Sequence, residues 1–132
     1  MPQLEYFLAS ESCAIDSQTN RVSIFNVLEE IQAAGFPTLM PGVVAMAVWN
    51  AEPGDEQRDF QAVFLVSGPG DEEPRRFPVN FRIPEARART LIQIVGYPVN
   101  GPGQLRFEVE IDGEHKASHT ATISLRVPAP VH

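Results

Sequence analysis

The stretch from Gln104 to Val127, QLRFEVEIDGEHKASHTATISLRV, has the pattern of two β-strands joined by a turn. Its first half alternates apolar and polar side chains, as a strand does when one face is buried and the other lies in water. The apolar positions there are Leu105, Phe107, Val109 and Ile111. The second half alternates in the same way after Asp112-Gly113, a dipeptide typical of hairpin turns. The sequence therefore predicts an antiparallel hairpin in the last third of the chain.

The length of the hairpin loop follows from the alternation. A two-residue turn would place Ile111 opposite Glu114 and set apolar against polar side chains on one face, because a slip of one residue turns every side chain over. A three-residue loop, 112–114, keeps apolar residues on a common face. We therefore predict the three-residue loop, with Gly113 in the left-handed conformation of a bulged turn.

The three-residue loop predicts a set of cross-strand pairs. On the inner face they are Ile111–His115, Val109–Ala117, Phe107–His119 and Leu105–Ala121. On the outer face the loop pairs Glu110 with Lys116, and opposite charges facing each other across two strands stabilise a sheet. This register places His119 against Phe107 as a neutral, hydrogen-bonded side chain, and His115 at the rim.

Length and composition bound the class of protein. With 132 residues the chain has the size of a single domain, 1–132. One cysteine, Cys13, excludes an internal disulfide and favours the reducing cytoplasm. A net charge of −7 argues against nucleic acid and anionic membranes as partners. No apolar run approaches the roughly 18 residues of a membrane span, and the opening residues, 1–13, lack the pattern of a signal peptide.

Short apolar segments separated by proline and glycine predict the remaining strands. We expect them at 4–15, 21–28, 43–49, 60–67, 76–83 and 90–97. Residues 29–34 either prolong the second strand as far as residue 31 or form a short helical turn. Residues 84–89 are a loop or one helical turn, 36–42 a crossover, 98–103 a turn, and 16–20 a turn with Asn20 left-handed.

Two of these segments carry information about position in a sheet. Val43–Trp49 is apolar almost throughout, which is typical of a central strand covered on both sides. Pro78 cannot donate a ladder hydrogen bond, so its strand belongs at a sheet edge or begins there. About eight strands with turns between them predict an all-β fold, an antiparallel β-sandwich of immunoglobulin-like or jelly-roll-like type.

Metal sites are poorly supported. His115 and His119 have a spacing that binds zinc on a helix, but on a strand they lie about 13 Å apart, too far to share an ion. His132 falls in a C-terminal tail. Acidic residues crowd two loops, 51–59 and 68–74, which flank one strand and should emerge at its opposite ends. We interpret these acidic residues as charges exposed to solvent rather than as ligands of a calcium ion.

The sequence contains no recognisable set of catalytic residues. Nucleophilic catalysis needs a base beside the nucleophile, and Cys13 has no histidine near it in sequence. The Gly-Pro-Gly elements at 68–70 and 101–103 do not resemble phosphate-binding loops, because proline lacks the amide that binds an anion. We predict no catalytic residue, no metal ligand and no cofactor.

Contacts with a ligand or partner are assigned to a few surface candidates. Trp49 and Tyr97, with Tyr6, offer aromatic rings for stacking on a sugar or another small molecule. Arg75 and Arg76, and separately Arg87 and Arg89, are the basic concentrations in the chain. They suit an anion or protein contact, or a solvated rim.

Several segments together resemble a known family. They are Glu11-Ser-Cys-Ala-Ile-Asp16, Arg21-Val-Ser-Ile-Phe-Asn-Val27, Phe36-Pro-Thr-Leu-Met-Pro41 and the closing run from Pro102 to Glu114. The chain resembles, over nearly its whole length, a family of small, single-domain bacterial β proteins known as a domain of unknown function. The resemblance implies a free-standing cytoplasmic β-sandwich protein of bacteria and supplies no activity or catalytic residues.

Three functions remain, in this order. The first is a non-enzymatic protein-interaction or structural module, which would form a homo-oligomer through an exposed sheet edge. The second is a small-molecule or carbohydrate-binding β-sandwich. An enzyme comes last, because it would require a histidine, Cys13 and a carboxylate to meet in one cleft.

Overall fold

The structure, a computed structural model, describes residues 1–127 and consists there of eleven β-strands without a helix. The strands are β1 (Gln3–Ile15), β2 (Val22–Val27), β3 (Glu30–Ala33), β4 (Thr38–Met40), β5 (Val43–Asn50), β6 (Asp59–Ser67), β7 (Arg75–Arg82), β8 (Arg87–Ile94), β9 (Tyr97–Val99), β10 (Gly103–Ile111) and β11 (Glu114–Leu125). The all-β class predicted from alternation is confirmed, and the strands outnumber the prediction by three very short ones. His132 lies outside the described residues.

The strands form three sheets. The first has four strands in the order β2-β1-β5-β8, and the second has five in the order β3-β11-β10-β6-β7. A separate pair joins β4 to β9. Every pairing is antiparallel except that of β3 with β11, which is parallel.

The two larger sheets lie face to face around one hydrophobic core. Seven of the eight residues of β5 are buried, as predicted for a strand covered on both sides. Its alternate residues face the five-stranded sheet, where Trp49 stacks on Phe81 with ring centroids 5.9 Å apart. Phe7 of β1 packs against Phe64 of β6 with the rings tilted and their centroids 6.1 Å apart. Aromatic contacts therefore join the two sheets.

The hairpin between β10 and β11 differs from the predicted register near its turn. Ile111 pairs with Glu114 and Glu110 with His115, so the predicted three-residue loop and its pairs Ile111–His115 and Glu110–Lys116 are wrong. The turn has two residues, Asp112 and Gly113, with φ angles of 48° and 84°. Positive φ at both positions is the geometry of a type I′ turn, whose twist suits a hairpin.

A β-bulge restores the predicted register farther along the hairpin. The pairing shifts by one residue between Val109 and Glu110, and Lys116 is the residue without an opposite partner. The predicted pairs Val109–Ala117, Phe107–His119 and Leu105–Ala121 are confirmed. The extra residue that alternation demanded thus lies within the strand rather than in the loop.

Three short strands correct the predicted connections. The segment 29–34 forms β3, so its helical alternative is wrong, and the crossover 36–42 contains β4. β9 begins at Tyr97, inside the predicted sixth strand, because Gly96 with a φ of 74° separates it from β8. β8 itself begins at Arg87, inside the predicted loop 84–89. Runs of three or four residues are too short for alternation to reveal.

Candidate functional site

Trp49, predicted as a stacking surface, lies in the core. Its side chain has 0% exposure, and its indole Nε1 donates to the hydroxyl of Thr90 over 3.0 Å. Phe81 covers one face of the ring. Because no face of the indole reaches the surface, Trp49 stabilises the fold and cannot stack on a ligand in this conformation.

Tyr97 is also internal, with 2% exposure. Its hydroxyl donates to Asp71 Oδ2 over 2.9 Å and lies 3.3 Å from the carbonyl of Val66. Burial raises the pKa of the Tyr97 hydroxyl to about 12, the bond to Asp71 and its negative charge act in the same direction, and Arg75 opposes them. The tyrosine therefore ties β9 to the loop after β6 and offers no stacking face.

Arg75 and Arg76, the two arginines predicted to contact a ligand or partner, each contact another side chain of the protein. The guanidinium of Arg75 lies over the Tyr97 ring, 4.9 Å from its centroid, as a cation–π pair. Arg76 contacts Glu110 across the outer face of the five-stranded sheet at 3.4 Å. Both side chains are exposed. They remain candidates for a partner contact.

The acidic loops contain a repeated turn that the sequence analysis missed. Pro-Gly-Asp occurs at 53–55 and again at 69–71, where Gly54 and Gly70 have φ angles of 90° and 83°. In each turn the aspartate accepts the backbone amide three residues earlier. Asp55 does so from Glu52 over 2.8 Å and Asp71 from Gly68 over 2.7 Å. Asp55 and Asp71 thus close their own loops, and the repeated tripeptide is the signal that reveals it.

His119 packs within the fold, and His115 lies at the surface. His119 lies edge-on to Phe107 with ring centroids 6.2 Å apart, and its Nε2 lies 2.6 Å from the carbonyl of Leu28. His115 is exposed beside Glu108 and Ser118. Across residues 1–127, no three His, Cys, Asp or Glu side chains come together as metal ligands. Cys13 is half-buried.

A groove of about 390 Å³ lies where the edges of two sheets approach each other. We call it the edge groove. It is lined by Glu11, 26–28, 30–34 and 38–41. These residues come from β1, from the end of β2, from β3, from β4 and from the segments between them. Its volume falls in the range of about 300–1,000 Å³ usual for binding pockets.

One wall of the edge groove is an open strand edge. β3 is the last strand of its sheet and pairs only with β11, which donates from Thr122 to the carbonyl of Glu29 over 2.9 Å. The amide of Arg126, directly after β11, donates to the carbonyl of Ala33 over 2.7 Å. Successive residues of a strand direct their backbone groups to opposite sides. Glu30 and Gln32 therefore point their amides and carbonyls away from β11, to the open edge.

The side chains of the edge groove combine negative charge with exposed apolar surface. Glu11 and Glu30 are exposed, and Glu11 accepts a hydrogen bond from the Asn26 side chain over 2.9 Å. None of the lining residues is lysine or arginine. Leu39 is 63% exposed, and Val27 44%. The groove thus offers backbone hydrogen bonds, apolar contacts and acidic side chains together.

The fold and the edge groove define a small all-β protein with a recess at an open sheet edge. The model of the family described as Family of unknown function (DUF6941) matches residues 5–127, so the chain belongs to that family, as its sequence motifs suggested. No curated protein matches the chain. The described residues, 1–127, include no helix long and apolar enough to cross a membrane.

Proposed function

We propose that this protein is a non-enzymatic protein-interaction module whose edge groove binds an extended, basic segment of a partner protein. The observation that carries the proposal is the open edge of β3, where Glu30 and Gln32 direct backbone groups into solvent. An extended peptide that pairs with such an edge gains main-chain hydrogen bonds, while pockets beside the edge select its side chains.

The charge of the edge groove supports a basic partner. Two carboxylates, Glu11 and Glu30, line it, and no lining residue carries a positive charge. Lysine or arginine side chains on the bound segment would meet these carboxylates, and complementary charge speeds and selects association. A second copy of the chain suits the groove less well, because each copy has a net charge of −7.

Two of the other edge strands, β7 and β2, have features that hinder the addition of a further strand. Pro78 interrupts the hydrogen-bonding groups of β7, an edge strand as predicted, and edge prolines prevent strand addition. β2 has a left-handed residue, Asn26 with a φ of 57°, which kinks its edge. β3 contains neither device, although it is only four residues long.

Peptide selection tests this function. A random heptapeptide library displayed on phage is selected on the wild-type protein, and the enriched peptides are then measured against two variants. Gln32→Pro removes the outward amide of β3 and keeps the bonds to β11. Gln32→Thr is the matched control, because it changes the side chain and keeps the amide. We expect enriched peptides that contain lysine or arginine, lack proline and bind Gln32→Pro at least about tenfold more weakly.

Two results would overturn the proposal. One is a set of selected peptides that bind Gln32→Pro and Gln32→Thr equally, which would place binding elsewhere. The other is a wild-type protein that sediments as a dimer and becomes monomeric in Gln32→Pro, which would assign the edge of β3 to a second copy.

The type of β-sandwich is a second part of the proposal. We infer that the two larger sheets form a β-sandwich of immunoglobulin-like or jelly-roll-like type, and their shared core supports this inference. Superposition on solved sandwiches of both types, with strand order compared, distinguishes them.

A further inference from the structure

A second cavity, of about 240 Å³, lies on the outer face of the four-stranded sheet. It is lined by Tyr6, Asn20, Val22, Val48, Arg87 and Arg89. The cavity exists because the β1–β2 hairpin folds back over this face. The carbonyl of Asn20, in the turn of that hairpin, accepts a hydrogen bond from Nη2 of Arg89 over 3.1 Å. Asn20 has the predicted left-handed conformation, with a φ of 59°.

Arg89, which lines this cavity, carries an unsatisfied hydrogen-bond donor. Its Nε is buried and has no hydrogen-bond partner among residues 1–127. A buried donor without a partner is costly, and such groups are rare in native proteins. Within the same described part of the chain, Arg89 contacts no carboxylate within ion-pair distance, whereas Arg76, Arg82 and Arg106 each do. Its positive charge is therefore uncompensated by a direct ion pair.

The neighbouring arginine leaves the cavity with net positive charge. Arg87 contacts Glu5 at 3.0 Å and donates to Asn50 over 3.3 Å. Glu5 thus balances one of the two guanidinium groups, and the charge of Arg89 remains. This concentration stands out in a chain with 10 basic and 17 acidic residues. Val22 and Val48 supply apolar walls.

We propose that this cavity binds a small oxyanion, a carboxylate or a phosphate head group, through the guanidinium of Arg89. Nε–H and the adjacent Nη–H of a guanidinium form the fork that binds two oxygens of one oxyanion. When the guanidinium turns so that the buried Nε faces the cavity, the ligand gives Nε a hydrogen-bond partner and neutralises the remaining charge. The Val22 and Val48 walls receive the apolar part of the ligand. This site lies apart from the edge groove and does not depend on the function proposed for it.

NMR of the arginine side chains tests the site in the wild-type protein. The protein labelled with ¹⁵N is titrated separately with sodium acetate and with inorganic phosphate, each against sodium chloride at equal ionic strength. We expect the Nε–H resonance of Arg89 to shift and saturate with at least one oxyanion, and the responding oxyanion identifies the head group. An Arg89 resonance that follows sodium chloride alone in both titrations would overturn the proposal.

Two variants locate the binding. Arg89→Lys keeps the positive charge and removes the fork, so we expect the oxyanion to bind at least about tenfold more weakly. Arg106→Gln loses a positive charge on the other sheet and serves as the control, with binding unchanged. If both variants bind the oxyanion equally weakly, the net charge of the protein explains the binding, and a site at Arg89 is contradicted.

Discussion

The hydroxyl of Tyr97 donates a hydrogen bond to Asp71 Oδ2 over 2.9 Å and thereby fastens β9 to the loop between β6 and β7. The same carboxylate oxygen accepts the Gly68 amide, so one aspartate closes its own turn and holds a neighbouring strand. Arg75 covers the tyrosine ring from outside. Tyr97 and Arg75, which the sequence suggests as ligand contacts, instead join a loop to the core.

Titration of Tyr97 measures this bond. Because burial and Asp71 raise the Tyr97 pKa from 10.0 to about 12, the folded protein holds this proton more tightly than the unfolded chain does. The resulting stabilisation is complete below pH 10 and is lost as pH rises toward 12. We expect a tyrosinate absorbance step near pH 12 that disappears in Tyr97→Phe and moves lower in Asp71→Asn. A Tyr97→Phe titration identical to wild type would contradict the assignment.

Asp71, the aspartate of the second Pro-Gly-Asp turn, should contribute far more to the stability of the fold than its acidic neighbours do. Asp71→Ala removes the acceptor for both Gly68 and Tyr97, so we expect the free energy of unfolding to fall by about 1–2 kcal/mol. Glu72→Ala, an exposed change in the same loop, is the control and should cost little. Urea denaturation of both variants checks the prediction, which fails if the two lose equal stability.

The buried pair of Trp49 and Thr90 gives a further stability test. Thr90→Val preserves shape and leaves the indole N–H without its acceptor, which should lower the free energy of unfolding by about 1–3 kcal/mol. Thr90→Ser keeps the hydroxyl and should lose less. Trp49 is the single tryptophan of the chain, so its fluorescence reports urea unfolding directly. A larger loss in the serine variant would contradict the role given to this hydrogen bond.

The hairpin turn should require glycine at one position. Gly113 has a φ of 84°, and nothing lies within 4 Å of a Cβ placed there, so only backbone strain opposes a side chain. Gly113→Ala should destabilise the protein by about 1–2 kcal/mol. Gly101→Ala, where space is also open and φ is not in the left-handed region, is the matched control. Thermal unfolding of the two variants distinguishes them, and equal midpoints would count against the type I′ turn.

The alternation of apolar and polar residues predicts the longer strands, because a strand that is buried on one face has an apolar residue at every second position. Leu105, Phe107 and Val109 are all buried, and β5 is apolar at every position except its last residue, Asn50. The sequence predicts the extra residue in the loop, whereas the structure places it at Lys116, because alternation shows how many residues separate two faces and not where the extra one lies. The parallel pairing of β3 with β11 joins distant segments, so no local pattern announces it.

The candidate site was less accessible to prediction than the fold. Aromatic residues suit both a core and a binding surface, and only the packing shows that Trp49 and Tyr97 belong to the core. The edge groove joins residues as distant in sequence as Glu11 and Met40. Its open edge depends on strand order, which the sequence does not display.

Amide hydrogen exchange at Glu30 and Gln32 measures occupancy of the edge groove most directly. The experiment compares the protein alone with the protein saturated by a selected basic peptide. We predict that exchange at Glu30 and Gln32 slows at least about tenfold, since their amides gain partners, while Ile31, whose backbone groups face β11, changes little. Unchanged exchange at Glu30 and Gln32 under saturation, with slowing at another edge, would contradict binding along β3.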